Sequence, residues 1–278
     1  MRPLPHGQDR TALNPQRDAI KSVTSRQNAF VEALRDIRDD AAGPFLFLEG
    51  PRLLEEALKS QLLIDRLAFV PALTDSPIVQ AACAKAKEKV QITPYVLEGL
   101  TDVKTPQGVI AIVRKPKTEW RQIHARAPRP IVILDGIQNA GNAATIVRTA
   151  EAAGVAGIVT TPGTARLFSP KALRGAMGSS LRVPILEHQL PENLINALAD
   201  AGYGVLAAAS PQADSRSFTA VDWQKSWAIV LGQEGHGLSA VWQKAPTALV
   251  HIPMEPSVES LNVAAAAALL LYEARRAR

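Results

Sequence analysis

Several features that mark large classes of protein are missing from this chain. One cysteine, Cys83, stands in 278 residues. Intrachain disulfides and cysteine-built metal clusters are therefore excluded, and a reducing, cytoplasmic setting is expected. No apolar run is long enough to span a bilayer. The Ala/Leu stretch 263–271 reaches about half of the ~20 residues required, so no membrane partner is expected. The opening segment, MRPLPHGQDRTALNPQRD, has no apolar core, so no secretory signal is expected. It is Arg-bearing and poor in acids, which leaves organelle targeting open. Internal repeats are absent, and so is low-complexity sequence beyond the Ala run.

What is present is a chain long enough for two domains, with 47 % apolar residues to build their cores. Its net charge of +5 is unevenly placed. Residues 1–130 carry 20 Lys and Arg against 15 Asp and Glu, whereas residues 131–278 carry 11 of each. Arg114, Lys115, Lys117, Arg121, Arg126 and Arg129 crowd a short connector opposed only by Glu119. That patch fits a polyanion partner, or simply a solvated linker.

Patterning divides the chain into four parts. Residues 1–17 hold three prolines and no periodicity, and read as a flexible tail. Residues 18–115 alternate helix-period segments (25–40, 51–61, 76–89) with short apolar runs (43–50, 66–70, 90–93, 108–113), the pattern of a small α/β domain. Residues 116–130 form a proline-bracketed basic linker. From Ile131 the alternation resumes with strand candidates at 131–136, 156–161, 183–188, 203–209, 227–232 and 248–253. Helices are expected at 142–153, 169–179, 191–202 and from Ser260. The repeated strand–helix order predicts a parallel sheet covered on both faces.

Three stretches of the second domain carry polar residues at predicted strand ends. In DGIQNAGNAATIVRTAEAAG (135–154), the glycine spacing is wrong for a dinucleotide fingerprint, which argues against a nicotinamide or flavin enzyme. Asn142 is placed to cap the following helix. Arg148, six residues on, offers a planar fork for phosphate, or a surface ion pair with Glu151. In LGQEGHGLS (231–239), three glycines permit close approach of a ligand, and Glu234 stands between two of them. His236 is given no role. In HIPMEPSVESLN (251–262), an apolar exit from a strand suits a flat heterocycle, Ser260 can cap the last helix, and Asn262 falls in its first turn.

In this order and spacing the three stretches resemble the motifs of the SpoU/TrmH family, RNA 2'-O-ribose methyltransferases of the SPOUT class. The resemblance covers 131–278 and extends upstream, where SRQNAFVEALR, LEGPRLLEEAL and LTDVKTPQGVIAIV look like the small RNA-binding domain of many members. It implies a C-terminal SPOUT-type parallel sheet with a deep trefoil knot, a homodimer with the site at its interface, and S-adenosylmethionine as cofactor. No metal is implied. It assigns catalytic positions to Asn142, Arg148, Glu234, Ser260 and Asn262, and cofactor contacts to Gly232, Ile252 and Leu261. Glu234 would hold Arg148 or the substrate. Candidate RNA contacts are Arg26, Asn28, Arg52, Lys104, Arg114 and Lys115. The implied partner is structured RNA, ribosomal before transfer RNA. The alternatives are a tRNA methyltransferase and an inactive RNA-binding protein of the same fold. The chain departs from the family pattern at Ala144 and Pro256, where glycines are usual, and at Ala29 and Glu32, which replace Pro and Lys.

Overall fold

The structure, a computed structural model, describes residues 20–40, 42–210, 214–244 and 247–278. The tail expected at 1–17 lies outside them. In chain order the first unit contains β1 (Lys21–Val23), α1 (Ala29–Asp39), β2 (Phe45–Glu49), α2 (Pro51–Lys59), β3 (Ile64–Phe69), α3 (Pro77–Lys85), β4 (Glu88–Ile92), α4 (Pro94–Glu98) and β5 (Val109–Arg114). The connector carries α5 (Trp120–His124). The second unit contains β6 (Ile131–Leu134), α6 (Ala140–Ala153), β7 (Gly157–Thr160), α7 (Pro170–Gly175), β8 (Ile185–Leu186), α8 (Pro191–Asp200), β9 (Gly204–Ala208), β10 (Arg216–Ser217), β11 (Trp227–Leu231), α9 (Ala240–Lys244), β12 (Thr247–His251) and α10 (Val263–Arg276).

Each unit has its own sheet. The first is five-stranded, ordered β1-β4-β3-β5-β2, with β5 antiparallel to both neighbours. The second is seven-stranded, ordered β10-β12-β9-β11-β6-β7-β8, and every pair is parallel. Its strands are apolar on both faces because helices cover both, as a parallel sheet requires. Val132, Leu134, Ile229 and Leu231 face α6 and α10. Ile131, Ile133, Ala228 and Val230 face α5, α8 and α9. No helix among the described residues is long and apolar enough to cross a membrane.

The connector is more structured than its charge implied. Glu119 and Gln122 close a capping box at the start of α5, and Ile123 is fully buried beneath the large sheet. Its basic residues therefore sit on a short packed helix and its flanks, because one apolar residue in the run finds a core to enter.

The two units are locked together. One apolar cluster runs from Leu46, Leu48 and Val113 of the small sheet to α6 and α7 of the large one. Among the described residues, three ion pairs cross the seam. Glu49 takes Arg174 at 3.0 Å and the hydroxyl of Thr101. Glu56 takes Arg182, which also clasps Glu151 of α6 at 2.6 and 2.8 Å. Glu187 takes Lys115. Glu49 and Glu56 are buried, so each needs its charge met inside the seam: Arg174 is the ion-pair partner of Glu49, and Arg182 shares Glu56 with Arg52.

Candidate active site

The C-terminal ends of β6, β11 and β12 converge on one edge of the large sheet, and the three polar stretches meet there. At the first, the helix is capped by Asn139 rather than Asn142. The Asn139 Oδ1 accepts from the backbone N–H of Gly141 at 2.8 Å and of Asn142 at 3.2 Å. Asn142 is thus one turn inside α6 with its side chain released from capping. Its amide donates to Glu234 Oε1 at 2.6 Å and its Oδ1 accepts from Asn262 Nδ2 at 3.2 Å. One residue from each stretch therefore enters a single chain of hydrogen bonds, which fixes the orientation of the central amide.

The second stretch forms a tight turn. Gln233 and Gly237 exchange backbone hydrogen bonds at 2.9 and 2.8 Å, which leaves Glu234 at the tip. Gly235 and Gly237 have φ of +84° and +71°, a region that side chains disfavour, so the turn closes only because glycine occupies both. Its base is held by Asp135, a buried carboxylate that accepts from Thr161 Oγ1 at 2.9 Å and from the Ser239 N–H at 2.8 Å. Asp135 was not singled out in the sequence. The signal was an acid closing a buried strand.

The third stretch shows a second shift of capping duty. Asn262, not Ser260, caps α10, with its Oδ1 accepting from the Ala264 N–H at 2.9 Å. Ser260 lies two residues earlier on the wall of a cleft of about 610 Å3. Gly232, Ile252 and Leu261 line the same cleft, together with Glu234 and Asn262. The backbone N–H groups of Met254 and Leu261 have no hydrogen-bond partner among the described residues.

The predicted residues are not all gathered. Arg148 is exposed on α6, outside the cleft wall, and has no ion pair among the described residues. Its sequence neighbour Glu151 is committed to Arg182, and Glu234 to Asn142. Glu151 accordingly has a carboxyl held below its ordinary range, first by the Arg182 hydrogen bonds. The candidate RNA contacts scatter. Arg26 donates to the Tyr95 carbonyl at 2.8 Å and lies 3.9 Å over its ring. Asn28 caps α1 by accepting from the Phe30 N–H. Arg52 pairs with Glu56 at 3.3 Å while remaining half exposed. Lys115 spans the seam to Glu187 and sits 4.4 Å over the ring of Phe168. Lys104 and Arg114 are exposed.

Ala144, the departure at a usual glycine position, is buried on α6 where α7 crosses it. The methyl is accommodated from the other side. A Cβ placed on Gly175 of α7 would lie 2.8 Å from the Ala144 methyl, so the crossing accommodates that methyl by having glycine on the partner helix.

A cleft at the C-terminal ends of parallel strands is where open α/β sheets bind ligands, which makes this the candidate ligand site of the larger unit. Comparison with known proteins takes the assignment further. Residues 129–272 match the SpoU rRNA Methylase family, and residues 34–111 match an MRM3-like substrate binding domain. The chain belongs to the SpoU rRNA methylase family. It is 35% identical over 271 residues to an uncharacterised tRNA/rRNA methyltransferase of Synechocystis, covering 95% of this chain and 97% of that one. It is 28% identical over 259 residues to the Bacillus subtilis 23S rRNA (guanosine(2553)-2'-O)-methyltransferase RlmP, covering 92% and 100%. Among solved structures, an rRNA methyltransferase from Sinorhizobium meliloti superposes with a TM-score of 0.82 at 30% identity, covering 92% of this chain and 98% of that one. Its AdoMet-bound form superposes at 0.81.

Proposed function

We propose that this protein methylates a ribose 2'-hydroxyl in ribosomal RNA, with S-adenosylmethionine in the 610 Å3 cleft. The observation that carries the reading is the Asn262–Asn142–Glu234 chain at the mouth of that cleft. The cleft fits the cofactor in kind. Apolar walls at Ile252, Leu261 and Leu270 suit a heterocycle, free backbone donors suit its polar edge, and the carboxylates of Glu234 and Glu259 suit its positive charge.

The bound cofactor supplies a methyl group on a sulfonium, whose sulfur departs as a neutral thioether. The protein's share is to align the ribose oxygen and manage its proton. Asn142, locked between Asn262 and Glu234, presents a rigid edge for orienting the ribose. Glu234 retains a second carboxylate oxygen for a substrate hydroxyl or for Arg148. Ser260 offers its hydroxyl from the cleft wall. The planar guanidinium of Arg148 grips the neighbouring phosphate and steadies negative charge developing on the 2'-oxygen. Its exposed, unpaired position fits a site completed by a second copy of the chain. In such a homodimer, Leu269 and Tyr272 on the open face of α10 would be covered. The trefoil knot belongs to the same reading: α10 returns from the far side of β9 to pack on α6. A cytoplasmic location completes it.

The test is tritium transfer from labelled S-adenosylmethionine into size-fractionated RNA from a strain lacking the gene. Label at one alkali-resistant linkage of ribosomal RNA is the expected result. Label in the transfer RNA fraction would overturn the substrate assignment. No label with cofactor binding intact would leave an RNA-binding protein.

A further inference from the structure

The two units enclose a second cleft, of about 790 Å3, along their seam. It plays no part in the chemistry above. Arg114 enters it from the small sheet, Lys117 from the connector, and Arg166 and His188 from the large sheet. All four are exposed, and among the described residues none is in an ion pair. Arg114 lies 6.0 Å over the ring of Phe45, which forms part of the floor. The remaining charges of the cleft, Lys115 and Glu187, neutralise each other. Asp36 and Asp40 line a separate small hollow that shares only Gly43, Pro44 and Phe45 with this one, and Glu119, next to the lining residue Thr118, is paired with Arg121. The cleft is therefore cationic, and its cations are not spent on the fold.

His188 is placed there at a conformational cost. Its φ is +58°, a left-handed value that a non-glycine residue adopts only when its surroundings impose it. They do so through buried Thr160, which accepts the His188 N–H on Oγ1 at 3.0 Å and the Gln189 N–H on its carbonyl at 2.8 Å. The turn is built, and it turns the imidazole into the cleft.

The seam cleft and the methyl-transfer cleft are also tied along one edge. The loop after β7 is fastened to the loop after β6: Ala165 donates to the Ile137 carbonyl at 2.8 Å, and the Gly136 N–H donates to Thr164 Oγ1 at 3.0 Å. Arg166 follows the first loop directly and Asn139 and Asn142 follow the second. A single strand lying along the C-terminal ends of the parallel strands would meet both clefts.

We propose that the seam cleft grips the sugar–phosphate chain of the RNA substrate beside the nucleotide presented to Asn142, with Arg114, Lys117 and Arg166 on phosphates and His188 stacked on a base. The proposal rests on the RNA methylation reading and adds where the rest of the RNA lies. Arginine forks suit phosphate oxygens. An imidazole face suits an unstacked base in a single-stranded region. Supply of cations by both units would make the rigid seam the device that sets the distance between grip and reaction.

The experiment compares wild type with Lys117→Ala/Arg166→Ala in filter binding to deproteinised large-subunit ribosomal RNA across a salt series. Methyl transfer, cofactor affinity by calorimetry and melting temperature are read alongside, and Lys85→Ala on α3 serves as a charge control. Loss of two single-strand phosphate contacts should flatten the log–log salt dependence by about 1.4 and weaken binding roughly tenfold or more at low salt. Cofactor affinity and melting temperature should stay unchanged, and the control should match wild type. His188→Ala should raise KM for RNA while leaving the salt slope alone. If wild type transfers methyl groups and the double variant binds RNA with the same slope, the proposal is wrong, the methylation reading stands, and the cleft is left to a protein partner. If wild type binds no ribosomal RNA, both fall.

Discussion

Asn142 can serve a substrate because Asn139 has taken over the helix cap. The sequence offers asparagines at both positions, and propensity alone does not choose between them. Tertiary structure chooses, because only position 142 faces Glu234 and Asn262. Asn142→Ala should therefore leave α6 capped and the protein folded, with methyl transfer falling by at least about a hundredfold. Arg148→Ala should likewise abolish transfer while cofactor binding persists, as followed by calorimetry. Loss of both together would undo the assignment of Arg148 to the RNA. At the same scale, Ala144 and Gly175 form a close-packed pair. Gly175→Ala gains up to about 1 kcal/mol of helix propensity. It also drives one methyl into another, an overpacking that costs roughly 1–3 kcal/mol. The clash should win, and the melting temperature should fall. Adding Ala144→Gly should recover most of the loss, and additivity of the two changes would disprove the contact.

The helices and strands were legible where their residues obey one period. The longer parallel strands of the large sheet announce themselves as apolar runs closed by Gly or Pro, and α1 and α8 lie within the spans their periodicity predicted, whereas α6 starts two residues before the expected 142 because Asn139 caps it. Shorter elements were not legible. β1 and β10 are three and two residues long and exist only because a neighbouring strand supplies hydrogen bonds. Helix α5 was hidden in a charge run, since a single buried Ile123 leaves no periodicity to read. The site's polar residues could be found, but their joining could not, because Asn142, Glu234 and Asn262 are far apart in sequence. Nor could the fate of Arg182, which reaches across 126 positions to Glu56. That clasp has a pH signature. Glu151 has its carboxyl depressed chiefly by Arg182. The stabilisation is thus complete above the ordinary glutamate value of 4.5 and drains away as pH falls below it. Glu151→Gln should lower the melting temperature at pH 7 and flatten its decline between about pH 5 and 3. An unaltered acid limb would mean that the arginine contributes nothing there.

At the scale of the whole molecule, α10 is a helix with two occupations. Ala264, Ala267, Leu270, Leu271 and Ala274 are buried against α6, and small residues at this crossing let the two helices approach closely. The opposite side is not the polar face that a surface helix normally presents. Leu269 is 43% exposed and Tyr272 51% exposed, three residues apart and therefore neighbours on one stripe. Exposed apolar side chains are ordinary when single. A pair on the helix whose cap belongs to the site is the surface that a second copy would cover in the proposed homodimer. Leu269→Glu/Tyr272→Glu leaves the buried side of α10 untouched, so the protomer should remain folded by circular dichroism. On the proposed homodimer, sedimentation should then show the variant as a monomer and the wild type as a dimer. Methyl transfer should be lost with it, because each site would be deprived of the arginine or the wall the partner brings. A monomeric variant with full activity would separate the two, confining the reaction to one chain and leaving Arg148 to reach its own Asn142 from the outer face of α6.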